Sequence, residues 1–205
     1  MKTRFIDPSW NRLEELLCSA QDSVFISSPW ISKEGNEFLR SVIQKLSIRE
    51  IHAIELWTRF DPADYLFGTS DHAGVLSTLE LCMKTFNKLD LQIWTHPKLH
   101  TKAYAVDNRK ALVTSANLTQ GGFMENIEAA MLIEGERELV DLFKFLRKDR
   151  RQMTNVSVGE IDDFVKSLHK MDTAKKEADK TVKLLSDKVA PLGGEHRRQK
   201  APLYI

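Results

Sequence analysis

Residues 100–128 read HTKAYAVDNRKALVTSANLTQGGFMENIE. Two runs in this stretch are rich in Val, Ala, Tyr and Thr: His100 to Asp107 and Ala111 to Asn117. Such runs favour extended backbone, and the polar Asn108-Arg109-Lys110 between them reads as a turn. The spacing predicts an antiparallel hairpin. If the turn centres on Asn108-Arg109, Asp107 pairs with Lys110, Lys102 lies opposite Ser115, and His100 lies opposite Asn117. Strand side chains alternate faces, so those residues then share one face. A three-residue loop would shift this register. A third strand over Asn126 to Ile133 brings Glu128 beside the hairpin.

The side chains gathered there suit attack on a phosphodiester. An imidazole can be the nucleophile, lysine, serine and asparagine can hold phosphate oxygens, and a carboxylate can orient the imidazole. A bare H-x-K would mean little, since His96-Pro97-Lys98 has that form with Ala103 where an aspartate would follow. His96 and His100 also have the spacing of a helical metal pair, but Pro97 and the strand pattern argue against a helix there. No metal or other cofactor is expected.

Working outward, the chain alternates strand and helix patterns. Ser9 to Ala20 reads as an amphipathic helix with Ser9 as N-cap, Ser23 to Ser27 as a buried strand, and Glu34 to Lys45 as a helix. Ile51 to Thr58 is a second strand, Tyr65 to Asp71 a loop, Ala73 to Phe86 a helix and Leu89 to Trp94 a third strand. Glu136 to Met153 is a further amphipathic helix, and Gly159 to Lys188 one or two more. This order predicts an α/β fold: a mixed, mostly parallel sheet flanked by helices on both faces, with a C-terminal helical extension. The expected units are a catalytic domain over 1–153, helices over 154–190 and a flexible tail over 191–205. Ligands of such sheets sit beyond the carboxyl ends of the parallel strands, which makes Ser28, Trp30 and Arg59 candidate substrate contacts.

The 205 residues are 42% hydrophobic and 29% charged, with a formal net charge of +1. These values describe an ordinary globular chain, and bulk charge does not announce nucleic-acid binding. Basic residues cluster at Arg147, Lys148, Arg150, Arg151 and at Arg197, Arg198, Lys200. Cys18 and Cys82 lie in apolar helical patterns, as free thiols in a reducing compartment do. With no apolar leader and no membrane-length apolar run, the expected setting is cytoplasmic and away from membranes.

The spacing H-x-K-x4-D-x7-S-x-N-x10-E, set by His100, Lys102, Asp107, Ser115, Asn117 and Glu128, resembles the HKD motif of the phospholipase D superfamily. The resemblance spans roughly residues 9–133. It implies a metal-independent phosphodiesterase in which one histidine forms a phosphohistidine and a second protonates the leaving oxygen. It also implies that Glu128 orients the histidine and that Asp107 is structural. Of six histidines only His100 carries the full pattern. One motif per chain resembles the small members, which pair two chains, so a homodimer is expected. The resulting expectation is a nuclease acting on DNA more than RNA, as effector or cleavage subunit of a restriction or defence system with further subunits as partners. The other readings are a nucleic-acid-binding subunit without catalysis and a phospholipid-cleaving phosphodiesterase.

Overall fold

In a computed structural model of the protein, residues 2–189 are described. The strands are β1 (Lys2–Ile6), β2 (Ser23–Ser27), β3 (Ala53–Trp57), β4 (Asp90–Thr95), β5 (Ala103–Val106), β6 (Lys110–Thr114), β7 (Ala130–Glu134) and β8 (Thr154–Asn155). The helices are α1 (Trp10–Leu17), α2 (Lys33–Leu46), α3 (Pro62–Leu66), α4 (His72–Thr85), α5 (Glu136–Arg150), α6 (Val158–His169) and α7 (Asp172–Val189). The strands form one sheet in the order β1-β7-β6-β5-β2-β3-β4-β8.

The α/β class and the mixed sheet stand, but the balance of directions differs from the expectation. Only β2-β3 and β3-β4 pair in parallel. The other pairings are antiparallel, because the hairpin chain β5-β6-β7 adds itself beside β2 and edge strands β1 and β8 close the two sides. The sequence reading of 154–190 as a separate extension also meets a difference. β8 is in the sheet, and Ile161 and Val165 of α6 lie in the main core. The expected tail over 191–205 lies outside the described residues.

Period-2 alternation sorts the strand side chains into two layers. Val24, Ile26, Ile54, Leu56, Ile93, Tyr104, Val106 and Leu112 pack with Leu13, Leu17, Leu39, Val42, Val75, Leu79, Ile161 and Val165 of α1, α2, α4 and α6. The opposite face is covered by α5, whose Leu139, Phe143 and Leu146 meet Phe25, Trp57, Ala103, Ala105 and Ala111. The alanines let the helix lie close, while Phe143 and Trp57 each meet Phe25 edge to face at ring-centroid distances of 5.3 and 5.2 Å. Leu13 is fully buried, so truncation to Ala there costs about 2–5 kcal/mol.

Local signals explain most boundaries. Ser9 caps α1 through the Arg12 amide, and Ser157 and Glu160 form a reciprocal capping box on α6. The expected loop after residue 64 is partly helix: Asp61 caps α3 and Pro62 fills its first position, a start signal visible in the sequence.

The hairpin register is shifted by one residue from the expectation. Val106 pairs with Lys110 and Ala103 with Val113, leaving a three-residue loop. Asp107 and Asn108 both have positive φ, 54° and 51°, and Arg109 N–H bonds Val106 C=O at 2.9 Å. Asp and Asn tolerate this left-handed backbone far better than Arg does, so the turn centres one residue earlier than Asn108-Arg109.

Candidate functional site

The shift also changes how the site is built. β5 begins at Ala103 and β6 ends at Thr114, so His100, Thr101, Lys102, Ser115 and Asn117 lie in connections beyond the strand ends, not on one pleated face. The Thr114 amide bonds Lys102 C=O at 3.1 Å and holds the two connections together.

His100 is exposed, whereas Lys102 is buried. Lys102 Nζ stands 2.9 Å from His100 Nε2. In that geometry the ammonium donates and the Nε2 lone pair accepts, which assigns the proton of a neutral ring to Nδ1. Burial pushes the Lys102 pKa below its ordinary value, and the charge of Glu128 opposes that shift. The indole of Trp30 meets His100 edge on, with ring centroids 5.9 Å apart, and Lys102 Nζ lies 5.9 Å from the Trp30 ring centre.

A second cluster sits on the β6–β7 side. Ser115 Oγ donates to Glu128 Oε2 and accepts from the Ala129 amide at 3.0 Å. Asn126 Nδ2 donates to the other Glu128 oxygen at 3.3 Å. Glu128 makes no hydrogen bond to His100 of its own chain among the described residues. Asn117 Oδ1 is buried without a hydrogen-bond partner among them. Such an acceptor is available to water or to a bound group.

Asn117 is held by close backbone packing. Ser32 N–H bonds Leu118 C=O at 3.1 Å, and a Cβ on Gly35 would stand 2.1 Å from that same oxygen. A Cβ on Gly122 would stand 2.4 Å from Asn117 C=O. Both glycines are required by space, since Cβ atoms do not come within 3 Å of backbone oxygen.

The strand-end residues Ser28, Trp30 and Arg59 divide. Trp30 borders His100, as just described. Ser28, expected as a substrate contact, is fully buried and is instead a clamp. Its Oγ accepts from Leu118 N–H at 2.9 Å and donates to Trp30 C=O at 2.8 Å. Arg59, also expected as a contact, has its charge matched by Asp61 at 3.1 Å and Asp64 at 3.3 Å. Its guanidinium carbon lies 5.5 Å from the Trp30 ring centre, so it backs the indole. Asp64 was not found in the sequence. It is buried and accepts from Trp30 Nε1 at 3.0 Å.

Asp107 lies at the far end of the hairpin. Its carboxylate accepts from the amides of Gln21, Asp22 and Ser23 at 2.9–3.1 Å and touches none of the side chains above. Among the described residues no group of three His, Cys, Asp or Glu side chains is placed to hold one metal ion. No helix among them is long and apolar enough to cross a membrane.

Known proteins share the family and the fold of this chain. Residues 13–149 match the family described as cardiolipin synthase, PLD-like domain. The DISARM protein DrmC of Bacillus paralicheniformis is 47% identical over 128 residues, covering 62% of this chain and 50% of that protein. The chain thus spans about half the length of that curated relative. The phospholipase D family member Nuc of Salmonella typhimurium superposes with a TM-score of 0.52 at 16% identity, over 76% of this chain and 96% of its own. NucT of Helicobacter pylori gives 0.53 at 12% identity, over 76% and 99%. Phosphatidylserine synthase of Haemophilus influenzae gives 0.61 at 18% identity, over 88% and 46%. At these identities the structural likeness is one of fold.

Proposed function

The chain belongs to the phospholipase D superfamily, and on that premise we propose that it is a metal-independent nuclease, cleaving DNA in preference to RNA at a site completed by a second copy of itself. The observation that carries this reading is the 2.9 Å approach of Lys102 Nζ to His100 Nε2, which sets a cation able to hold a phosphate oxygen beside the nitrogen that would attack.

In this reading His100 Nε2 attacks phosphorus, a P–N bond forms, and the P–O bond to the leaving sugar oxygen breaks. His100 of the second chain protonates that oxygen. The same imidazole then takes a proton from water as the water attacks phosphorus, and the P–N bond breaks to restore His100. Lys102, Ser115 and Asn117 hold the nonbridging oxygens as charge develops. Glu128 serves as the carboxylate that orients an imidazole. Because it does not reach the histidine of its own chain, a two-fold partner is the natural recipient. The apolar side chains beside it fit that arrangement: Met124 is 68% exposed, and Ile127 is fully so. Surface of this kind calls for cover. The relative named as a DISARM protein supports a role in a defence system; a cytoplasmic setting and further subunits as partners belong to the same proposal.

The test is to incubate purified protein with labelled single- and double-stranded DNA and RNA in EDTA, beside a His100→Ala control. Cleavage in EDTA that the control lacks supports the reading. Activity that requires magnesium sinks it. Mixing His100→Ala chains with wild type should poison activity, since each mixed pair holds one imidazole. An active monomer in sedimentation would refute the shared site.

A further inference from the structure

Beside His100 lies a cleft of about 320 Å³ that Trp30 does not line. Trp57, Leu99, Leu146 and Met153 provide apolar lining, and His96, Lys98, Thr101 and Gln152 the polar lining. His100 lines it too, so the cleft is continuous with the proposed reaction centre. Its outer wall carries Phe145, which is 67% exposed although its neighbour Leu146 is buried in the core under α5. No carboxylate lines it, whereas Lys98 and two imidazoles do. Helical spacing places Lys148 on the same stripe of α5 as Phe145, and Arg151 follows directly after the helix.

An exposed ring, a cation and a wall free of acid form a recognisable combination. Aromatic faces stack unpaired bases, and the cations follow the phosphates. A base in a duplex is already stacked and paired, so it can use such a ring only by leaving the helix, which costs a few kcal/mol. The volume sits at the small end of ligand pockets, enough for one nucleotide rather than a pair. We propose that this cleft takes the unpaired nucleotide next to the scissile phosphate, with its base on Phe145 and its outer phosphate on Lys98, and that the substrate is therefore single-stranded nucleic acid. This rests on the nuclease reading above and names its substrate class.

The test reads binding, not cleavage. Full-length protein carrying His100→Ala, which the nuclease reading leaves unable to cut, is titrated into a fluorescein-labelled twelve-residue oligodeoxythymidine and followed by anisotropy, with unlabelled single strand or blunt duplex as competitor and the Phe145 variants made on the same background. Single strand should compete at least about tenfold better than duplex of equal length. Phe145→Ala should weaken binding about tenfold, the loss expected for one stacked base, and Phe145→Trp should restore it. Phe145 is exposed, so unchanged thermal melting will show that the variant folds. Equal competition by duplex, or unchanged affinity in Phe145→Ala, overturns the proposal. Wild type that binds single strand but cuts nothing overturns the nuclease reading while leaving the cleft assignment standing.

Discussion

The two ends of the β5–β6 hairpin carry the same kinds of polar side chain and treat them in opposite ways. At the Asp107 end a carboxylate is saturated by backbone amides from the entry to β2. At the His100 end an imidazole is exposed, an asparagine oxygen lacks a partner, and a lysine is buried against its charge preference. Saturated polar groups stabilise, whereas unsatisfied ones cost stability and are retained where they act on something else. One motif thus combines a staple with the proposed reaction centre, and the contrast can be tested at each end.

The largest effect should come from His100→Ala. Loss of the nucleophile should lower turnover at least ~10⁴-fold, with the melting temperature unchanged because the ring is exposed. A large drop in melting temperature would show the open end to be structural too. Asp107→Asn should behave in the reverse way. It replaces a charged acceptor of several amides by a neutral one that also carries donors, at a cost of about 2 kcal/mol. For a chain of this size that lowers the melting temperature by about 4–8 °C, while kcat stays within a few-fold. Unchanged melting with lost activity would erase the distinction between the ends.

Ser28→Ala gives a smaller and more discriminating effect. It orphans the Leu118 amide and the Trp30 carbonyl, costing about 1–2 kcal/mol, yet KM should not move because the hydroxyl is buried. A raised KM at constant stability would return Ser28 to the substrate contacts. The smallest effect concerns His72, buried between Phe60 and Phe164 with ring-centroid distances of 5.8 and 5.3 Å. Burial lowers its pKa below the ordinary 6.5, and the carboxylates of Asp64, Asp71 and Asp61 oppose that shift. The unfolded chain therefore binds the proton more readily. Its contribution to stability is complete above pH 6.5 and is lost as the pH falls towards the lowered folded value. Thermal melts across that interval should show a decline that His72→Gln flattens, and an identical decline in the variant would assign it to another group.

Much of this was readable in the chain. β2 spans Ser23–Ser27 as its apolar run suggested, and the alternation of strands and helices led directly to an α/β sheet. The motif spacing named the residues found at the two ends of the hairpin, Asp107 at one and His100 with Lys102 at the other. What escaped was geometry set by single residues or distant partners. The register depended on two residues adopting positive φ, and no periodicity reports that. β1 is a short, charged edge strand, and β8 has two residues; neither carries an apolar signature. Ser28 looked like an exposed strand-end hydroxyl because its partner Leu118 is 90 residues away. Asp64 was hidden for the same reason, although Asp61-Pro62 could have revealed the helix that carries it.

The pairing of β1 with β7 has a consequence for how the protein comes into being. Thr3 sits opposite Ile133 and Ile6 opposite Ala130, so the first strand synthesised must wait for nearly the last one in the sheet. At ribosomal speeds that wait is on the order of ten seconds. The Ser115–Glu128 contact needs the same late segment. A nascent chain therefore carries His100 for some time before Glu128, and with it the Ser115–Glu128 contact, has been made.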